Sequence, residues 1–509
     1  MKLNLLKLVL LFVSVSANAK NTNQEQTYAH FPDWLAGKSS CDYNSKTLRL
    51  PQDITQLKYL PADAYYQKGC ENLKPLSKTD PDYVKKISFL QNQYDLFSWA
   101  QFVVLNRAVN SDLSISKTNL PICDGDNCKK PTWLHWRDTD SIFLENGCTP
   151  EPWSFKNNPN LNPELSAVSQ VAPSGMDLKD AILIDQANQP VYYQKLVSPN
   201  LFELITTPNI LTNMPLYHLQ GQSAYLNKIG KLNVALGSYV NCPGDSSDKV
   251  CNLIPDLKAY KYGDTTGSIT LKVAWKVLSE NDDPSQFIHV EKDVVVYDNL
   301  KNGEQSKVAK VVQKKLGVVA FHIAHKTNTS PNWVFSTFSH INSVDGQNPM
   351  FTNPHCPTCP VNVANGGKGP TQVKRIDNIM PITQRVNQFV QGKLAAENSV
   401  LQYYNLIGTQ FTTDNSAPVT DGYPGRLLNF AGKSPFPTFL ANELLETFLQ
   451  PGNTPLGPDK KLFFKNSSCM NCHASGGFYS ESEKGFKPRT ADFMFIFEDA
   501  HSFKPQACK

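Results

Sequence analysis

The most constraining feature of this sequence is a short motif near its C-terminal end. Cys469, Cys472 and His473 form the pattern Cys-x-x-Cys-His, and only 36 residues of the 509-residue chain follow it. The pattern is the attachment signature of a c-type haem: two cysteines on one helical turn bind the same porphyrin through thioethers, and the histidine then lies beneath the iron. Because so little chain follows, we expect the upstream chain to complete the pocket of one covalent haem c.

Several residues are candidates for the second axial ligand of the iron. Met494 lies 21 residues beyond His473; His/Met ligation suits electron transfer, although a Met among aromatic residues is also typical of a core. His322 and His325 stand three positions apart in a predicted strand, so they face opposite sides and at most one reaches a given haem. His501, another residue or an open position are the remaining alternatives, and an open position would indicate redox catalysis.

The first residues have the pattern of a secretory signal. Lys2 and Lys7 precede an apolar stretch at 8–15, and Ala17-Asn18-Ala19 has the small residues of a cleavage site. The stretch is too short to span a bilayer, which takes about 20 apolar residues. We therefore predict a signal peptide at 1–19, export to the periplasm, and no transmembrane segment after cleavage.

Composition excludes several other classes of protein. Hydrophobic residues make up 40% of the chain and charged residues 18%, which is typical of a globular protein and not of a disordered or coiled-coil chain. The formal net charge is only +4, so we expect no nucleic-acid partner. An exported haem protein instead implies a periplasmic redox partner, whose identity the sequence does not reveal.

The chain has twelve cysteines, and in an oxidising compartment those outside the haem motif are disulfide candidates. The predicted pairs are Cys41 with Cys70, Cys123 with Cys128, Cys242 with Cys251, Cys356 with Cys359, and, as the remaining two, Cys148 with Cys508. Cys356 and Cys359 form a second Cys-x-x-Cys, without a following His, which could also be a redox dithiol or half of a zinc site. A structural disulfide is favoured there, because no second zinc-spaced cysteine pair is present.

Hydrophobic periodicity predicts an α+β fold with an antiparallel β-rich central body and helical N-terminal and C-terminal segments. A loop-rich region at 20–225 contains a helix at 83–107, and a β-rich body at 226–345 follows. The region 346–509 carries the haem motif and a predicted amphipathic helix, Thr438 to Gln450. The predicted strands are Ser268 to Leu278, Val290 to Tyr297, Gly317 to His325 and Trp333 to Ile341.

An aromatic and charged cluster precedes the body. Trp133, His135, Trp136, Arg137 and Asp138 could line a haem edge, with Arg137 pairing a propionate, or could be a buried tryptophan pair beside surface charges.

Several stretches together resemble a family of large exported bacterial cytochrome c family proteins with a single C-terminal haem motif. The matching stretches are Phe97 to Asn106, Ser268 to Leu278, His322 to Thr327, Pro331 to Phe338, Ala441-Asn442, Glu446 to Gln450, and Ser468 with the motif. The resemblance implies haem binding and electron transfer, and it draws attention to His322 and Lys326 as pocket residues. This chain departs from the family pattern at Ser339, which precedes His340 where the family has Glu, and in having Met494.

Three functions fit these observations. The first is a periplasmic monohaem c-type cytochrome that binds haem iron and transfers electrons. The second is a haem-dependent oxidoreductase acting on a small substrate, because a simple carrier needs far less chain; its pocket would be lined by His322, His325 or the Trp133 to Arg137 cluster. The third is a disulfide-stapled binding module with a structural or sensory haem. Whether the chain is an enzyme stays open at this point.

Overall fold

The computed structural model describes residues 83–508 with gaps. Residues 1–82 and 509 lie outside it, as do 108–122, 125–126, 129, 153–163, 171–180, 210, 233–267, 298–299, 301–307, 327–332, 347, 413–434, 438, 451–468 and 475. The predicted signal peptide and the pairs Cys41–Cys70 and Cys242–Cys251 therefore fall outside the described residues.

The helices and strands of the described residues are as follows. The α-helices are α1 (Tyr83–Leu105), α2 (Pro199–Thr206), α3 (Leu219–Lys228), α4 (Pro381–Ala396) and α5 (Cys469–His473). The strands are β1 (Cys123–Asp124), β2 (Asn127–Cys128), β3 (Arg137–Asp138), β4 (Tyr192–Val197), β5 (Ser268–Val277), β6 (His289–Tyr297), β7 (Val308–Lys326), β8 (Val334–His340), β9 (Tyr404–Thr412), β10 (Pro435–Phe436), β11 (Gly477–Ser480) and β12 (Gly485–Pro488). None of these helices is long and apolar enough to cross a membrane.

One antiparallel sheet organises the molecule. Among the described residues it has eight strands, in the order β10-β9-β8-β7-β5-β4-β3, with β6 paired to the first half of β7. The four predicted strands correspond to β5, β6, β7 and β8, although β7 begins earlier than expected. The protein is therefore α+β with a β-rich body, as the periodicity predicted, and the sheet also takes strands from before and after residues 226–345.

Helix α1 covers one face of this sheet. Its residues from Tyr94 to Leu105 are almost fully buried on every side of the helix, which is what a helix without a polar face requires. Phe102 stacks on Phe338 of β8 at 4.2 Å between ring centroids, and Trp99 meets the same ring edge-on. The prediction of a helix at 83–107 is confirmed to within two residues.

The predicted helix from Thr438 to Gln450 is wrong. The described residues of this segment form turns and a short 3-10 helix, Thr447–Leu449. The reason is tertiary: the side chain of Asn442 donates to Thr337 and to the carbonyl of Phe338 on β8, and its amide oxygen accepts from Leu444 N. Side-chain bonds of this kind compete with helical backbone hydrogen bonds.

Two disulfides are present among the described residues. Cys148 bonds Cys508 and so joins the C-terminal tail to the loop region, and Cys356 bonds Cys359. Both pairings were predicted from the sequence. Cys123 and Cys128 are opposite each other in the β1–β2 pair, but their side chains are outside the described part of the structure.

Candidate functional site

The face of the sheet opposite α1 carries an open cavity. Concave, mainly apolar sites with a few polar groups are where proteins typically bind small molecules and cofactors. Its walls come from β4, β5, β7, β8, the segment 440–449, α5 and the segment 493–496, and they are mainly apolar. The predicted site residues Cys469, Cys472, His473, His322 and Met494 all line it.

Helix α5 places both cysteines of the motif on this cavity. The five residues from Cys469 to His473 are helical, and the amide of Met470 donates to Gln410 Oε1 of β9 at 2.7 Å. The thiols of Cys469 and Cys472 are not joined, whereas Cys356 and Cys359, with the same spacing, form a disulfide. Burial, together with nearby negative charge, raises the pKa of both thiols, that of Cys472 to about 12, so both thiols are protonated and do not form a thiolate redox pair.

His473 is held with one ring nitrogen occupied. Its Nδ1 lies 2.8 Å from the carbonyl oxygen of Phe493, and because a carbonyl can only accept, Nδ1 carries the proton and donates it. Burial lowers the pKa of His473 to about 4, so the ring is neutral at pH 7 and Nε2 has a free lone pair. This is the orientation that metal-binding histidines typically have.

Contacts from the sheet hold the turn that supplies the Phe493 carbonyl in place. Asp492 and Phe493 have φ values of 49° and 64°, a left-handed conformation that non-glycine residues adopt at a cost. Lys326 at the end of β7 forms a 2.6 Å ion pair with the Asp492 carboxylate, and Trp333 Nε1 donates to the Asp492 carbonyl at 2.9 Å. The ends of β7 and β8 therefore hold the carbonyl that orients His473.

His322 faces the same cavity from β7 with its other ring nitrogen occupied. Its Nε2 lies 2.7 Å from Glu446 Oε1, and Glu446 Oε2 accepts from the amide of Asn442 at 2.8 Å. Burial alone would raise the pKa of Glu446, but His322, Lys272 and the Asn442 amide lower it to about 2. Because the ionised carboxylate only accepts, His322 Nε2 donates to it, and Nδ1 is the nitrogen left for another partner.

The other ligand candidates divide between the cavity and the rest of the molecule. Met494 lines the cavity from an apolar cluster and is 3% exposed. His325 lies on the α1 face of the sheet, where Nδ1 is 2.8 Å from Gln101 Oε1, which confirms that the two strand histidines face opposite sides and removes His325 from the pocket. His501 is exposed and does not line the cavity.

The aromatic cluster before the body is part of the core and not of the cavity. Trp133 packs against Trp275 and Phe321 on the α1 face of the sheet. Arg137 is buried, with its guanidinium donating to Ser141 and to the carbonyl of Glu151. The alternative of a haem-edge role for this cluster is therefore wrong: the tryptophans are buried, and so is the arginine.

Two basic residues of the cavity were missed in the sequence. Lys195 of β4 and Lys272 of β5 line it. The signal was available for Lys272, because it alternates with the apolar Leu271 and Val273 in a predicted strand and so had to face the opposite side. The sequence carried no such signal for Lys195, because β4 lies in a region that the sequence predicts to be loop-rich.

No protein-family model, curated protein or solved structure matches this chain. Within the described part of the chain, no group of three or more His, Cys, Asp or Glu side chains is arranged to hold a bare metal ion.

Proposed function

We propose that this protein is a periplasmic monohaem c-type cytochrome that transfers electrons. The observation that carries the proposal is the convergence of Cys469, Cys472 and His473 on one mainly apolar cavity, with two unjoined thiols and a neutral imidazole whose Nε2 is free. These residues fit a haem c: the cysteines would hold it through thioethers, and His473 would bind its iron. The resemblance to exported cytochrome c family proteins agrees with this assignment.

When bound, haem supplies a one-electron iron couple whose potential depends on axial ligation and burial. The chain's own contribution is to position His473 through the Phe493 carbonyl and to keep water away with the apolar wall. Phe335 and Phe495 pack around the imidazole, with ring centroids 4.8 and 5.4 Å from it.

For the second axial position we favour His322 over Met494. Its Nε2 donates to Glu446, and a histidine ligand that donates its other N–H to a carboxylate is a recurrent arrangement in metal sites. Met494 lies in an apolar cluster, where a methionine serves equally well as a packing residue.

A haem-dependent oxidoreductase is the second candidate, and one observation favours it. His322 and Glu446 form a hydrogen-bonded pair in the cavity wall, and Lys272 lines the same wall. If the pair does not ligate iron, it can hold or move a proton for a small substrate in the cavity.

The decisive experiment is to express the chain, with its leader, in a host that matures c-type cytochromes. We expect haem that stays attached on a denaturing gel and after acid-acetone extraction, since thioethers survive both. The double variant Cys469→Ser/Cys472→Ser should retain no haem through these steps, because neither thioether can form. The matched control is Cys356→Ser, which changes the other Cys-x-x-Cys and should retain haem.

A colourless wild-type protein, or equal haem loss in Cys356→Ser, would overturn the proposal. The same sample separates the two candidate functions. A six-coordinate, low-spin spectrum that does not respond to carbon monoxide supports electron transfer. A high-spin spectrum that responds to carbon monoxide or peroxide supports the oxidoreductase.

A further inference from the structure

Three basic side chains stand side by side across the sheet in the cavity wall. The strand register pairs Lys195 of β4 with Lys272 of β5, and Lys272 with His322 of β7. All three residues line the cavity. Residues directly opposite each other on neighbouring strands have Cβ atoms about 4.5–5.5 Å apart, so the three form a continuous basic row.

The two outer members of the row each have a carboxylate partner. Lys195 Nζ lies 2.5 Å from Asp499 Oδ2, and His322 Nε2 lies 2.7 Å from Glu446 Oε1. Both oxygens of Glu446 are already occupied, one by His322 and the other by the amide of Asn442. The protein's own carboxylates therefore satisfy the ends of the row.

Lys272, in the middle of the row, contacts a carbonyl and an aromatic ring where the outer residues contact carboxylates. Its Nζ makes a long hydrogen bond of 3.4 Å to the Leu445 carbonyl and lies 5.6 Å from the centroid of the Tyr193 ring. Among the residues that the structure describes, no carboxylate is within 4.0 Å of this ammonium group. The side chain is only partly buried, because it faces the open cavity.

We propose that Lys272 is the anchor of a carboxylate-binding subsite in the cavity. Lys272 is partly buried and has no carboxylate of the described residues in direct contact, and a bound carboxylate would supply both a contacting counter-charge and short charge-assisted hydrogen bonds. The nearby Glu446 disfavours an anion of higher charge such as phosphate. The carboxylate belongs either to a propionate of the haem, in which case the inference rests on the proposed function, or to a small free ligand.

The two sources are separated by comparing wild type, Lys272→Met and Lys310→Met. Methionine keeps the length of the side chain and removes the charge, and Lys310 is an exposed lysine of β7 that serves as the matched control. Acetate is titrated into each purified protein by calorimetry at constant ionic strength. The resonance Raman bands of the haem propionates are recorded on the same samples.

Saturable acetate binding in wild type and Lys310→Met, weakened at least tenfold in Lys272→Met, identifies a site for a free carboxylate. No acetate binding, with propionate bands shifted only in Lys272→Met, identifies the haem's own carboxylate. The inference is overturned if acetate does not bind and the propionate bands are the same in wild type, Lys272→Met and Lys310→Met. A protein purified without haem contradicts the proposed function but not this subsite, which acetate titration of the haem-free chain then decides by itself.

Discussion

The two faces of the central sheet are built from alternate residues of the same strands, yet they are completed in different ways. On one face, α1 packs its aromatic side chains directly onto the strands, as in the stack of Phe102 on Phe338. On the other face, the strands carry Lys272, His322 and Phe335 into an open cavity. Helix α5 and the segment 493–496 form its opposite wall. The first face therefore supplies stability, and the second leaves room for chemistry.

The largest expected difference between the faces is in the cost of removing a phenylalanine. Phe102 is fully buried between α1 and the sheet, so Phe102→Ala should lower the free energy of unfolding by about 3–5 kcal/mol. Phe335 borders the cavity, so Phe335→Ala should lower the free energy of unfolding by less than half as much as Phe102→Ala. The substitution should instead change the visible spectrum of the proposed haem, because the ring of Phe335 packs on His473.

Urea unfolding and absorption spectra of both variants check this prediction. Equal destabilisation would show that the cavity face is a filled core like the other. A spectral change in Phe102→Ala, but not in Phe335→Ala, would place the proposed haem on the α1 face and not in the cavity.

The next expected effect concerns pH and the α1 face. Asp95 is fully buried there, and Gln91 and Thr383 donate to its carboxyl. Burial raises its pKa from 3.8 to about 7, although hydrogen bonds from Thr383, Gln91 and Thr409, which are all uncharged, partly oppose the shift. The folded state thus binds this proton more tightly than the unfolded state, so stability falls as pH rises from about 4 to about 7, by up to about 4 kcal/mol.

Asp95→Asn mimics the protonated carboxyl, so it should abolish the fall in folding stability as pH rises from about 4 to about 7. Its stability relative to wild type should rise across the same pH window, measured by urea unfolding at pH 4, 5.5, 7 and 8. The exposed Asp293→Asn is the control and should parallel wild type. If Asp95→Asn also parallels wild type, water reaches Asp95 and the α1 face is less closed than the structure indicates.

Much of this comparison follows from period-two alternation in the sequence. Alternation in β5 and β7 predicted the sheet and the opposite orientations of His322 and His325, and the motif Cys469 to His473 marked the site. Alternation does not reveal which helix covers which face, since that depends on contacts such as Phe102 with Phe338, which join distant parts of the chain. The turn around Asn442 was missed for the same reason, because its bonds to β8 replace the helix that local periodicity favours.

The smallest effect, and the sharpest comparison, concerns the two histidines of β7. His325 is fully buried beside Gln101, with its ring 5.8 Å from that of Phe97. His325→Gln should therefore lower the free energy of unfolding by about 1–3 kcal/mol and leave the spectrum of the proposed haem unchanged. His322→Gln keeps a donor for Glu446 but removes the imidazole, so it should change the spectrum with less effect on stability.

Met494→Leu completes this experiment, because it keeps an apolar side chain in the cavity wall and removes the thioether. If the proposed haem is bound, we expect His322→Gln to convert it from a low-spin form into a high-spin form that binds carbon monoxide, and Met494→Leu to behave like wild type. The reverse result would make Met494 the ligand. Unchanged spectra in both variants would remove both residues from the iron, leaving the pair of His322 and Glu446 free to act on a substrate, as the oxidoreductase alternative requires.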